Sequence, residues 1–187
     1  MSSRKNELRD AALAYLLDHG VANVSLRPMA AHLGTSARIL MFHFKSKEGL
    51  LQEVLQELQS RLQSSFSTMS SVRPNARQVA PLKRFWHWAI RKENLPYLRL
   101  LYEVHMVAVQ NPAEYRRYLK KVSLDWQAIV FQALSESVRS EAMSTLCIAV
   151  FDGLFLEMIN TGDRARLTRA LDGFISMASV SAKGKRP

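Results

Sequence analysis

Arg27, Arg38 and Lys47 are the side chains of this 187-residue sequence best suited by type and placement to meet a polyanion. An arginine can donate two parallel hydrogen bonds to guanine O6 and N7, which makes Arg38 the candidate for reading a base. Lys47 stands at the start of a helix, where free backbone amides also favour a phosphate. Arg27, near the start of another helix, can reach a phosphate or a base edge. Ser36, Ala37, Met41 and Phe42 surround Arg38 and are of a size to pack on thymine methyls or sugars. A Met–Phe pair rarely stands on a folded surface unless something is meant to meet it.

The stretch from Ser25 to Leu51 has to position these groups, and it reads as two short helices, a tight turn and a longer third helix. Ser25 is predicted to cap the first helix through its hydroxyl. Pro28 falls in the first turn, where a missing amide costs little. Gly34 ends the helix in a left-handed residue. Thr35 and Ser36 are the caps available to the second helix, in which Ala37, Leu40 and Phe44 share a core-facing side. Arg38, Met41, Phe42 and Lys45 point elsewhere. Ser46 then caps a helix opened by Lys47 and Glu48. This arrangement fits a helix-turn-helix, whose second helix enters the DNA major groove.

The run GTSARILMFHFKSKEGLL resembles the TetR family of bacterial transcriptional regulators. The resemblance lies in Gly34, Ser36, Leu40, the pair His43–Phe44, then Lys45, Ser46, Lys47 and the Glu-x-Leu-Leu run from Glu48 to Leu51. It implies a phosphate contact for His43. The family usually has a tyrosine in the aromatic pair before the histidine, and that tyrosine often bonds a phosphate. Met41 stands there in this sequence and cannot.

Composition agrees with a nucleic-acid partner. The net charge is +10, with 48% hydrophobic residues and a pI of 10.1, a balance that favours nucleic acid ahead of an anionic membrane. Residues 1–51 hold seven bases and four acids, so only +3 of the charge belongs to the stretch above and what precedes it. The single cysteine, Cys147, forms no internal disulfide and suits a reducing cytoplasm. The polar N-terminus does not read as a signal peptide. No run is read as reaching the roughly 18 apolar residues of a membrane span.

In chain order, Met1–Lys5 reads as a short basic arm without fixed structure, able to touch the phosphate backbone. A helix is expected over Asn6–His19, ended by Gly20 with Val21 closing over the cap. The helix from Lys47 runs to Phe66, with Leu50, Val54, Leu58 and Leu62 as its stripe. Residues 64–77 read as a loop. Further helices are expected over 81–93, from Pro96 to Gln110, and from a capping box at Asn111–Glu114. The last of these carries Arg116, Arg117, Lys120 and Lys121 off its apolar face. A pair of helices over 141–179 follows, with a Thr161-Gly162-Asp163 turn. The first of the pair is apolar nearly all round, which calls for cover on every side. A second copy would supply it, giving a homodimer through 141–179. The Asp-Gly-Leu at Asp152–Leu154 and the turn also resemble the TetR C-terminal pair. The tail from Ser181 reads as structureless.

The expected fold is all-α: residues 1–49 form a helix-turn-helix DNA-binding domain and residues 50–187 a helical effector-binding and dimerisation domain. The expected partners are a double-stranded, palindromic operator and a second copy of the chain, with no membrane and no cofactor. By resemblance a small, largely apolar effector would release the DNA. Its candidate lining is Trp86, Tyr102, His105, Trp126, Phe151 and Phe155, with Met106 and Met158 as further options. An alternative is a helix-turn-helix dimer controlled by a protein partner, its interior filled. A basic amphipathic protein of the membrane surface is a third reading. The five histidines have no metal-ligand spacing, and there is no glycine-rich phosphate loop, nucleophile elbow or paired-carboxylate signature, so the sequence does not read as an enzyme.

Overall fold

The computed structural model describes residues 2–22, 24–71 and 81–183. Among them are nine helices and no strand: α1 Ser2–His19, α2 Leu26–His32, α3 Ala37–Phe44, α4 Lys47–Ser71, α5 Pro81–Ala89, α6 Leu95–Gln110, α7 Pro112–Ala133, α8 Glu141–Thr161 and α9 Arg164–Lys183. They gather into two compact units, Met1–Arg61 with Pro96–Lys120, and Leu62–Leu95 with Lys121–Pro187.

In the first unit, Leu8, Ala12, Leu13 and Leu16 bury one side of α1 at helical spacing. Leu50, Val54 and Leu58 do the same on α4, as their spacing predicts. The basic arm is corrected. Helix α1 starts at Ser2, because Arg4 pairs with Glu7 at 3.1 Å and Lys5 with Glu53 of α4 at 2.6 Å. These pairs hold the first turn against the domain. Gly20 ends α1 at φ +70, and Val21 is buried over the cap. The Val21 amide donates to Glu103 Oε2 on α6 at 3.1 Å. A side chain at Gly20 would press within 2.9 Å of that carboxylate.

The start of α7 lies on α4: the Gln52 side-chain amide donates to the Glu114 carbonyl at 3.1 Å. The capping box is not formed as predicted. The Asn111 amide donates back to the Val107 carbonyl at 2.8 Å, so its side chain closes the end of α6. Tyr115 is fully buried, and its hydroxyl has no hydrogen-bond partner among the described residues. Burial first, then the carboxylates of Glu48 and Glu114, push its phenol up to about 12. An unpaired buried hydroxyl costs about 1–3 kcal/mol. Tyr115→Phe is therefore expected to leave the urea midpoint unchanged or raise it. A marked fall would mean that the hydroxyl has a partner.

In the second unit, α4 continues to Ser71 where a serine-rich loop was expected. The hydroxyls of Thr68 and Ser70 donate to carbonyls four residues back, at 2.8 Å each, and Ser71 to one three back at 2.9 Å. Side chains that elsewhere compete with the helix thus decorate it. The rest of the predicted loop lies outside the described residues. Helix α5 stops at Ala89, earlier than expected, where the Asn94 side chain bonds the Trp88 carbonyl at 2.7 Å. Helix α9 runs on to Lys183, so the tail is helical over its first residues, and its remainder lies outside the described ones.

Ser140 caps α8 by accepting from the Met143 amide at 3.1 Å, and Gly162 ends it at φ +67. Contrary to the sequence reading, α8 is by length and composition long and apolar enough to cross a membrane, alone among the described residues. Cys147, Phe151, Phe155 and Met158 are buried on one side of it, while Leu146 and Leu156 are about half exposed.

Candidate nucleic-acid interface

Helix α2 ends through two reversed hydrogen bonds. The Thr35 amide donates to Ala30 O at 2.9 Å and the Gly34 amide to Ala31 O at 3.2 Å. Gly34 takes φ +62, so the chain can turn sharply and begin α3 three residues later. Ser36 caps α3, its hydroxyl accepting from the Ile39 amide at 3.3 Å. Ser25 has the extended backbone of a cap at α2, but its hydroxyl makes no capping bond.

Leu40 and Phe44 are buried on the inner side of α3, and Ala37 is half-buried. The outer side carries exposed Arg38, with Phe42 60% exposed, Met41 43% and Ile39 42%. Burial of Phe42 within the domain is thereby excluded. Ile39 was not among the predicted reading residues. Its spacing of three from Phe42 is the signal that places both on one side. Phe42 meets His43 edge-on, with ring centroids 5.2 Å apart. His43 is half-buried, and Arg27 and Lys47 are exposed.

The exit from α3 is strained. The Ser46 amide donates to the Phe44 carbonyl at 2.9 Å, closing a three-residue turn around Lys45 at φ 70, ψ −42. Turns of this kind are rare, and Lys45 is the only non-glycine residue at positive φ among the described residues. The turn brings the Phe44 carbonyl into the space where a side chain at Gly49 would begin. It also folds Lys45 back, so that Nζ donates to the Phe42 carbonyl at 3.1 Å and lies 5.6 Å from the Phe42 ring centroid. Ser46 caps α4, accepting from the Gly49 amide at 2.9 Å. Lys47 Nζ is 3.9 Å from Glu48, too loose a pair to hold it from a phosphate.

All eight predicted DNA-facing residues therefore lie between the start of α2 and the start of α4. The six predicted effector residues divide between the two units. Trp86, Trp126, Phe151 and Phe155 belong to the second unit, and Tyr102 and His105 to the first. In the second unit Trp86 stacks on Phe155 at 5.4 Å between centroids. Phe85 lies 6.0–6.1 Å from Trp126, Phe151 and Phe155. His105 is exposed, so its ring reaches water and needs no buried partner.

A three-helix unit with an exposed, partly apolar second helix of the turn is a helix-turn-helix DNA-binding domain in form. Residues 8–54 match the family model of bacterial regulatory proteins, tetR family. The chain as a whole has the fold of TetR-family transcriptional regulators. A transcriptional regulator from Rhodococcus sp. Rha1 has a TM-score of 0.76 at 18% identity, over 93% of this chain and 95% of that one. The multidrug binding protein EbrR complexed with ethidium gives 0.71 at 19% identity, over 91% and 96%. Its complex with imidazole gives 0.68 at 20% identity, over 91% and 93%. At these identities the likeness is one of fold. No curated protein matches the sequence.

Proposed function

We propose that the protein is a cytoplasmic, homodimeric transcriptional repressor that reads a palindromic operator with α3 and leaves it when a small, largely apolar effector binds. The observation that carries the reading is the outer side of α3, where Arg38 stands among exposed Ile39, Met41 and Phe42 within the segment that matches the family. Residues 1–49 read DNA, and residues 50–187 bind the effector and dimerise. Exposed Leu146 and Leu156 on α8, with Met177 on α9, supply apolar surface for a second copy. A twofold protein fits a palindrome. The aromatic side chains around Trp86 and Phe85 suit a flat apolar ligand, and EbrR, of like fold, is described in complex with ethidium.

A footprint on a palindrome near the protein's own gene, with far weaker binding to random DNA, tests the reading. Ethidium is the first effector to titrate against the complex. Arg38→Ala is expected to cost about 1–3 kcal/mol on the operator and to relax one position, whereas Lys47→Ala weakens all sequences alike and lowers the salt slope by about one unit. Equal loss on operator and random DNA from Arg38→Ala would remove it from base reading.

The alternative, control by a protein partner, is favoured by the close stacking of Trp86 on Phe155, which fills that part of the second unit with side chains. Release of DNA by a protein from the same cells, with no response to ethidium or similar molecules, would support it.

A further inference from the structure

Most of the net charge of +10 lies outside residues 1–51, which carry +3. Three of the remaining cations stand together on α7. Arg116, Arg117 and Lys120 are all exposed, and their spacing confines them to roughly 100° of the helix circumference. They lie away from the buried Tyr115. Lys121, next in sequence, is neutralised by Asp125 at 2.5 Å, and Arg99 on α6 by Glu103 at 2.8 Å. Among the described residues no carboxylate forms an ion pair with Arg116, Arg117 or Lys120.

These cations belong to the compact unit that carries α3. The start of α7 is seated on the first two turns of α4 by the bond from Gln52 to the Glu114 carbonyl, and Tyr115 lies in the field of Glu48. Helix α4 is the one that Lys47 opens. The free cations thus begin two residues beyond the contact that fixes α7 to the helix following the reading head. Between them this face carries only Ala113, and one exposed apolar side chain, Leu124, follows a turn beyond Lys120. Three unpaired cations beside a single leucine suit a polyanion better than the clustered apolar anchors of a protein or membrane contact.

We infer that Arg116, Arg117 and Lys120 form a second anion-binding face, which takes the phosphate backbone of duplex DNA flanking the base pairs read by α3. The inference rests on the DNA-reading function proposed above. The face adds affinity and salt dependence and carries no sequence preference of its own, since phosphate contacts position without specifying.

The test uses the purified full-length protein and duplexes recovered by selecting random-sequence DNA on it. Each duplex is trimmed to the protected palindrome or extended on both sides by about 10 base pairs, one helical turn. Anisotropy is then followed across a salt series. The wild type is expected to bind the extended duplex about tenfold more tightly at low salt, with a slope steeper by about two to three units per protomer, near 0.9 for each neutralised phosphate. The triple variant R116A/R117A/K120A is expected to melt like the wild type, to bind the trimmed duplex equally well and to gain nothing from extension. A triple variant that keeps the full gain overturns the inference. So does equal loss on trimmed and extended duplexes, and so does a gain that Leu124→Ala abolishes while the basic residues remain. A selection that yields no preferred duplex overturns the DNA-reading function first and the inference with it.

Discussion

Gly49→Ala is expected to lower the thermal midpoint and weaken operator binding together. A methyl at position 49 begins where the Phe44 carbonyl oxygen now sits. Gly49 is not at a positive φ, so its role is to leave room. To admit the methyl, the Phe44–Lys45 peptide must turn over or α4 must move off. Turning over breaks the bond from the Ser46 amide and carries Lys45 away from the Phe42 ring and carbonyl. Forcing a methylene into a filled space costs about 1–3 kcal/mol, partly offset here by relief of the positive φ at Lys45. The stability loss should therefore fall at the low end of that range. The loss in binding should be larger than stability alone explains, because the end of the reading helix is re-aimed. A circular dichroism melt and an operator titration on one preparation decide it. Wild-type values in both would show that position 49 has room to spare.

Trp86→Ala is expected to have the largest effect on stability, about 3–5 kcal/mol. Trp86 is fully buried, stacks on Phe155, and donates from its indole nitrogen to the Thr168 hydroxyl at 2.9 Å. It therefore joins α5, α8 and α9 in one contact set. A domain holds about 5–15 kcal/mol in all, so the variant would be close to unfolding in the second unit at ordinary temperature. Trp86→Phe keeps a ring and loses the bond. Thr168 is only half-buried and can turn to water, so the cost should be a fraction of that for alanine. Urea unfolding followed by ellipticity separates the two. Equal midpoints for the Phe and Ala variants would mean that the indole bond, and not the ring, is what holds the unit.

The reading head was the most legible part of the sequence because its signals are local. Gly34, Ser36, Leu40 and Phe44 each do what residue type and spacing predict, and no distant residue is needed to say so. Failures came where a side chain had two possible partners. The Ser25 hydroxyl and the Asn111 amide are both cap residues by type. The first makes no capping bond, and the second turns back to α6. Serines 64–71 read as loop because the hydroxyl competes with backbone bonds, yet next to a carbonyl one turn back it can bond without breaking the helix. The start of α1 is not legible locally, because the anchor of Lys5, Glu53, lies 48 residues away. Gly49 carries no local signal, because a glycine inside a helix looks neutral until the carbonyl beside it is located. The interior aromatics were recognisable as buried side chains, but their spacing did not reveal that Tyr102 and His105 fold with the other unit.

Cys147 offers a use of its own. It is the only thiol in the chain, it is buried on α8, and burial pushes it up to about 11. In the folded protein the sulfur is both shielded and protonated, and the thiolate is the form that reacts. A thiol reagent at neutral pH therefore meets it only when the second unit opens, so the labelling rate counts those openings one molecule at a time. The same rate measured with DNA or ethidium present would report whether either one clamps α8 shut, with no probe engineered into the chain.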